Sequence, residues 1–242
     1  MSVPELSVVV PVFDEEPVLE RSLEHLVRHL DGTGLSFELV CVDDGSRDSS
    51  PAILRAAAAR EPRVRALHGA GHRGKGAALR DGVLDARGDR IVFMDADLST
   101  DLAALGHVLA ALDAGADVVF GSRRAPGAMV RVQQSPLRVS LGRGFSHLAG
   151  WLVRPDLADF TCGFKGFERA AARAIFRRSH VDRWAVDAEI AAIAAELQLT
   201  LVQVPVTWSD AGPSKVRVVR DACSSLGDLV RISRRRRAGA YR

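Results

Sequence analysis

The feature that most limits this chain is an alternation, through its first half, of short Val/Ile/Leu blocks with stretches whose apolar residues recur at helical spacing. LSVVVPV (6–12), FELVCVDD (37–44), VRALH (64–68), DRIVFMDAD (89–97) and ADVVFGS (116–122) read as five strands. Between them, 17–30 carries Val18, Leu19, Leu23, Leu26, Val27 and Leu30 at helical intervals. Further helices are expected at 49–60, where Ser46 or Asp48 can cap, and at 75–86 and 101–113. Strands that are apolar throughout are buried on both faces, which calls for a parallel sheet with helices on each side. The expected class is α/β, a Rossmann-like, doubly wound, mostly parallel sheet flanked by helices. Ligands of such sheets bind beyond the carboxyl ends of the strands. Here those ends carry Asp14-Glu15, Asp43-Asp44-Gly45, Asp95-Ala96-Asp97 and Gly121-Ser122-Arg123.

Past Arg123 the pattern loosens. Residues 124–136, with Pro126, Gly127, Gln133, Gln134 and Pro136, read as a mobile loop. A helix is expected at 137–152, a glycine-containing element DFTCGFKGF at 159–167, helices at 168–177 and 185–197, and a strand LTLVQVPVTW at 199–208. With no internal repeat and no low-complexity linker, 1–232 reads as one domain with a C-terminal helical elaboration, followed by a basic tail at 233–242.

Charge and cysteine usage exclude several classes. A net charge of +3 is too small to argue for nucleic acid. Cys41, Cys162 and Cys223 are odd in number and far apart, which suits buried thiols rather than a disulfide framework or a zinc cluster. The N-terminal segment MSVPELSVVVPVFDEE has no basic flank and reads as a first strand, not a signal peptide. No stretch approaches the roughly 20 apolar residues of a membrane span. The expected location is the cytoplasmic side.

Asp95-Ala96-Asp97 is the most informative triplet. Two carboxylates two residues apart, where a strand gives way to a loop, can converge on one hard divalent cation, Mg²⁺ or Mn²⁺, shared with phosphate oxygens. The plainer reading is a helix start, with Asp97 or Ser99 as cap. VDDGS (42–46) can accept hydrogen bonds from a base or ribose, or simply cap a helix. The cluster GAGHRGKGAALRDG (69–82) formally satisfies a dinucleotide fingerprint and nearly satisfies a P-loop, with Lys75 as its candidate donor-binding cation. Both matches fail in detail. Gly76 stands where a P-loop needs Ser or Thr, and the cluster follows the third strand instead of the first. Arg123, Arg138 and Lys215 lie in or beside loops, where they can hold phosphate oxygens.

Together, PVFDEE (11–16), VDDGS (42–46), RGKGAALRDG (73–82), GDRIVFMDADLST (88–100) and GSR (121–123) resemble the family 2 glycosyltransferases of the GT-A fold. DFTCGFKGF (159–167), DRWAVDAEI (182–190) and VPVTWSDAGPSK (204–215) resemble the polyprenyl-phosphate sugar synthases, above all the dolichyl-phosphate glucosyltransferases. The resemblance divides the domain into a nucleotide-sugar-binding half, 1–123, and an acceptor half, 124–232. It implies that Pro11, Phe13 and Glu15 surround the nucleotide, that Val42 and Asp44 lie near the base, and that Asp95, Ala96 and Asp97 meet the diphosphate. Asp97 would be the firmer metal ligand, with Asp95 beside it. Ser99 occupies the place of a metal-assisting Gln of mannose synthases. Arg123 and Arg138 match arginines that bind the acceptor phosphate, and Lys215 matches a lysine of a closing loop. Trp184 and Asp187 match a WxxD pattern to which no step is assigned.

The implied reaction is inverting transfer of a hexose from a nucleotide-sugar donor, UDP-glucose ahead of GDP-mannose, to a polyprenyl-phosphate lipid. A phosphate monoester is already anionic, so it needs orientation by Arg123 and Arg138 more than a base. The alternatives are a soluble acceptor, which requires a base drawn from Asp159, Asp187 or Glu189, and a phosphotransferase built on 69–76. In 216–232, Val219, Ala222, Leu226, Leu229 and Val230 form an apolar stripe that precedes Arg234–Arg237. Such a helix suits a peripheral position on an anionic membrane surface, or packing on the core with a solvated basic end.

Overall fold

The computed structural model describes residues 3–69, 71–132, 135–154, 156–210 and 218–242. The first half alternates as expected: β1 (Leu6–Val12), α1 (Glu16–Asp31), β2 (Phe37–Asp43), α2 (Ser50–Arg60), β3 (Val64–His68), α3 (Lys75–Asp85), β4 (Arg90–Met94), α4 (Ala104–Asp113) and β5 (Val118–Ser122). After it come β6 (Met129–Val132), α5 (Pro136–Leu152), β7 (Phe164–Glu168), α6 (Arg169–Arg178), α7 (Val186–Glu196), β8 (Leu201–Pro205), β9 (Thr207–Ser209) and α8 (Val218–Arg237). A seven-stranded sheet runs β3-β2-β1-β4-β7-β5-β8, and β6 pairs with β9 in a small second sheet.

Every residue of β2 is buried, and β1 is buried but for a half-exposed Pro11. Their apolar side chains feed two cores, one on each face. On one face Val8, Val10, Leu39 and Cys41 meet Leu19, Leu23, Leu26 and Leu30 of α1 and Leu105, Val108 and Leu112 of α4. On the other, Val9, Val40, Val42, Phe93 and Phe120 meet α3, α6 and α7 and two residues of α8, Leu229 and Ile232. Each fully buried leucine contributes roughly 1.5–3 kcal/mol relative to exposure, so the four of α1 alone hold that helix to the sheet.

One strand breaks the parallel pattern. β7, which begins at the FKGF end of DFTCGFKGF, inserts antiparallel between β4 and β5, with Met94 opposite Phe164 and Phe120 opposite Lys165. Its beginning therefore lies at the carboxyl ends of its neighbours. The run 159–163 is delivered to the edge where ligands of such sheets bind.

Three expectations need correction. Part of the stretch read as a loop at 124–136 is β6, which pairs parallel with β9 through Met129↔Thr207 and Val130↔Trp208; Gln133 and Gln134 lie outside the described residues. The single strand expected at 199–208 is two. Pro205 has no N–H for a continuing ladder, and the chain leaves β5 there to pair with β6 instead. The basic end is not a free tail: α8 runs through Arg237, and Tyr241 is fully buried. The apolar stripe of α8 divides as well. Leu229 is in the core, whereas Leu226 and Val230 face outward, and the side chains of Val219 and Ala222 lie outside the described residues.

Candidate active site

The acidic triplet sits where β4 ends. Lys75, the first residue of α3, reaches it with Nζ 2.5 Å from Asp95 Oδ1. Burial alone would pull the Lys75 ammonium down, but Asp95 and Asp187 outweigh it and hold it above the ordinary lysine value. Asp97 is raised above the usual carboxylate range, first by burial and then by the neighbouring charge of Asp95, although the Ser99 amide donates to its Oδ1 at 3.0 Å. Two carboxylates and a hydroxyl offer only oxygen donors, the set a hard cation prefers, and Lys75 only partly offsets the repulsion between the carboxylates. Among the described residues no group of three or more His, Cys, Asp or Glu could hold a metal ion. Asp95 and Asp97, with Ser99 beside Asp97, would hold such a cation. Ala96 is buried, so only its backbone can approach a ligand.

Beside the triplet, β1 and β2 end in register, Pro11 opposite Val42. The Val42 side chain is in the core, where it and Val9 crowd Gly82 of α3, which leaves only its backbone for a base. The loops after the two strands are stitched together. The Asp14 amide donates to Ser46 Oγ at 3.0 Å, the Glu15 amide to Ser50 Oγ at 2.9 Å, and the Arg47 amide to Asp14 Oδ1 at 2.7 Å. Asp44 is buried and clamps the glycine cluster: the Arg73 amide donates to Oδ1 at 2.9 Å, the Gly74 amide to Oδ2 at 2.8 Å, and His72 Nδ1 lies 2.9 Å from Oδ2. Phe13 lies under the His72 ring. The glycines of RGKG are explained by packing. A Cβ at Gly74 or Gly76 would run into the backbone of 181–183, and the Ala77 amide donates to the Asp182 carbonyl at 3.1 Å.

At the end of β5, Arg123 grips Asp159 with both arms of its guanidinium, Nε to Oδ2 at 2.8 Å and Nη2 to Oδ1 at 2.9 Å, and Nη2 also donates to Thr161 Oγ1 at 2.6 Å. The Trp208 ring lies 5.3 Å from its centre. Burial would push the Asp159 carboxyl up; the bidentate arginine wins and holds it well below the usual range. Arg138 belongs to α5, but its side chain lies outside the described residues, as does Lys215 altogether.

The other two candidate bases are buried as well. Glu189 is fully buried and accepts the His180 and Val181 amides at 2.8 and 2.7 Å and the Tyr241 hydroxyl at 2.8 Å. Asp187 Oδ1 is 3.0 Å from the ammonium of Lys165, which is wholly buried between the rings of Phe93 and Phe120 and donates to the Cys162 carbonyl. Trp184 faces Lys75, Nζ lying 5.9 Å from its ring. The WxxD pair thus converges on the lysine that holds Asp95. Sequence reasoning missed His72, Gly163 and Lys165. The only signal for the last was a lysine interrupting an apolar strand between two phenylalanines. Cys41 and Cys162 are buried thiols, pushed up by burial to about 12 and about 11.

With this geometry in place, residues 7–176 match the family model Glycosyl transferase family 2. The chain belongs to glycosyltransferase family 2. Among the relatives of this family 2 enzyme, dolichyl-phosphate beta-glucosyltransferase ALG5C of Trichomonas vaginalis is 33% identical over 244 residues, covering 96% of this chain and 72% of that protein. Dolichyl-phosphate beta-glucosyltransferase of Homo sapiens is 31% identical over 251 residues, covering 98% and 78%. Glucosyl-3-phosphoglycerate synthase from Mycobacterium tuberculosis, solved in complex with Mn²⁺, UDP-glucose and phosphoglyceric acid, superimposes with a TM-score of 0.72 at 17% identity, over 95% of this chain and 80% of that one. The fold of this glycosyltransferase is thus GT-A. Its glycine cluster packs on 181–183, and the lysine of the cluster pairs with the acidic triplet. No helix among the described residues is long and apolar enough to cross a membrane.

Proposed function

We propose that this glycosyltransferase moves glucose from UDP-glucose to a polyprenyl phosphate, inverting the anomeric centre, at a membrane surface. The observation that carries this reading is the state of the three candidate bases: Asp159 is held by Arg123 and Glu189 by Tyr241 and two amides, while Asp187 is buried against the Lys165 ammonium with no hydrogen bond to its Oδ1. An acceptor hydroxyl would need one of them free; an acceptor phosphate needs none, because it attacks as an anion. The names of the relatives, dolichyl-phosphate beta-glucosyltransferases, support the same donor sugar and acceptor class.

In this reading Phe13 and Asp44 receive the base, with Pro11, Glu15 and the backbone of Val42 and Ala96 around the nucleotide. Asp95 and Asp97, backed by Ser99, would hold Mg²⁺ or Mn²⁺, which supplies charge stabilisation to the departing diphosphate. Lys75 holds Asp95 in place and adds positive charge beside it. Arg123, rigid on Asp159, orients the acceptor phosphate together with Arg138, and Lys215 closes over the donor. Leu226 and Val230 stand exposed on α8, which continues into Arg234–Arg237; apolar side chains followed by cations suit a peripheral helix on an anionic leaflet.

The test offers the purified enzyme UDP-glucose or GDP-mannose, sugar-labelled, with Mn²⁺ and a polyprenyl phosphate in detergent micelles. Label extracted into organic solvent from UDP-glucose, and not from GDP-mannose, is the expected result. Label that appears only in water-soluble sugar alcohols or phosphates overturns the lipid acceptor, and transfer from GDP-mannose alone overturns the donor.

A further inference from the structure

The imidazole of His72 lies on the ring of Phe13, centroids 4.0 Å apart and planes inclined by 26°. Its Nδ1 stands 2.9 Å from Oδ2 of the buried Asp44. A flat ring stacked on Phe13, with a ring nitrogen against the Asp44 carboxylate, makes the two contacts that a nucleobase with a ring N–H would make there. We propose that His72 is an internal occupant of the base site, which the nucleotide displaces when it binds, so that His72 sets the affinity for the donor. The inference rests on the reading that Phe13 and Asp44 receive the base.

The loop is built to lie in this position. Gly45 has φ +76°, and a Cβ on it would come within 2.7 Å of the His72 amide nitrogen and 2.8 Å of the Gly71 carbonyl carbon, so a side chain at 45 would push the loop off the end of β2. The Gly69 amide donates to the Asp43 carbonyl at 2.9 Å and fixes the near end. The loop is equally built to let the ring go. Gly71, at φ +116°, has open space around it, and Gly74, at φ +119°, marks the other side of the His72-Arg73 pair. The His72 side chain is 55% exposed and can swing into water without opening the core. Asp44 stays in place throughout, because the Arg73 and Gly74 amides continue to hold both of its oxygens. What it loses is the nearby ring nitrogen, and a ring N–H of the incoming base takes that place, while the two amides keep both oxygens satisfied.

Displacement has a quantitative signature. A ligand that needs the site empty binds more weakly by the fraction of molecules in which it is empty, and by the same factor whatever its base. The experiment compares wild-type protein with His72→Ala by calorimetry, titrating UMP, GMP and inorganic pyrophosphate in Mn²⁺. The expected result is that UMP and GMP both bind the variant tighter by one common factor, about threefold or more, while pyrophosphate, which does not reach the base site, binds both proteins alike. In the wild type, the His72 ring-proton resonance, displaced by the stack on Phe13, should move towards its ordinary position as UMP is added. UMP binding that is unchanged or weakened in His72→Ala, with pyrophosphate unaffected, overturns the displacement while the donor reading stands. If neither nucleotide binds either protein, the donor reading itself falls and the displacement falls with it.

Discussion

The carboxylate of Asp95 lies directly against the α-carbon of Gly163, so close that a Cβ on residue 163 would overlap it. The contact exists because β7 runs antiparallel beside β4 and starts where β4 ends. Glycine is required there for room, not for backbone freedom. Gly163→Ala should force Asp95 away from Lys75 and from its partner Asp97. We expect kcat to fall at least about 100-fold, roughly 2.7 kcal/mol of barrier, with a stability loss of about 1–3 kcal/mol from overpacking. Sugar-transfer rates alongside urea denaturation check both; an alanine variant within threefold of wild type would mean that Asp95 has no fixed position to lose.

Asp97 is the carboxylate whose pKa the site pushes up, by burial and by Asp95. A carboxyl with a raised folded-state pKa favours folding below its unfolded value, and that advantage is lost as pH rises through the folded value. At neutral pH the ionised Asp97 is thus a strain that the proposed cation would relieve. Asp97→Asn should raise the melting temperature of the metal-free protein at pH 7, by about 2 °C or more for each kcal/mol gained, and the gain should vanish near pH 4. The same variant should lose turnover and should no longer be stabilised by Mn²⁺, which in the wild type at a hundredfold excess over its Kd gives about 2.7 kcal/mol. Scanning fluorimetry across pH, with and without the metal, measures the stability changes, and a sugar-transfer assay measures the turnover.

Most of the fold was legible because its first half is made mostly of buried parallel strands, such as β1, β2 and β4, which announce themselves as apolar runs, and amphipathic helices such as α1. The strand ends were legible too: Asp44, Asp95, Asp97 and Arg123 stand where each apolar run meets a polar residue. What stayed hidden depends on partners distant in sequence. That Asp159 would bind Arg123, or that Gly163 would make room for Asp95, follows only once β7 is known to insert antiparallel, and that Lys75 would bind Asp95 only once α3 is packed on the sheet. The strand β6 was masked by prolines and glycines around it, and the buried Tyr241 by the arginines before it. In both cases local composition pointed to solvent while tertiary pairing decided otherwise.

Arg123 and Asp159 form a bidentate pair in which the acid is completely buried. Removing one partner of such a pair leaves the other without compensation, at about 3–5 kcal/mol. Asp159→Asn should therefore destabilise strongly at pH 7. Because the folded-state pKa of Asp159 is depressed, its contribution is present above the unfolded value, about 3.9, and is lost as pH falls below it. The stability gap between wild type and variant should narrow only below about pH 4. A gap that closes already near pH 6 would assign the stabilisation to another group.

Leu226 and Val230 are exposed, 43% and 48%, while Leu229 and Ile232 between and beyond them are in the core. The membrane reading can therefore be tested without disturbing the fold. Leu226→Ser/Val230→Ser should leave the urea midpoint within error and lower binding to vesicles containing anionic lipid by about tenfold, from the loss of roughly 1.5–3 kcal/mol of apolar burial per side chain at most. Equal sedimentation of both proteins with the vesicles would remove this face from the interaction.

Tyr241 shows what the C-terminal turn does. Its ring is fully buried and its hydroxyl donates to Glu189 Oε1 at 2.8 Å, the same carboxylate whose Oε2 fixes the 180–181 backbone. That backbone leads into 181–183, which packs on Gly74 and Gly76 beside Lys75. Tyr241→Phe keeps the ring and removes the donor, leaving a buried carboxylate oxygen short of one partner. The expected loss is about 1–3 kcal/mol, read from denaturant midpoints at pH 7, with transfer activity retained at temperatures where the variant stays folded. Burial and the charge of Glu189 hold the Tyr241 hydroxyl above its ordinary value. The wild type therefore has this stabilisation below the unfolded value, about 10, and loses it as pH rises towards the folded one. Above about pH 10, the stability of the wild type should fall progressively towards that of Tyr241→Phe. Parallel curves for the two proteins across that range would show that the hydroxyl carries no part of the latch.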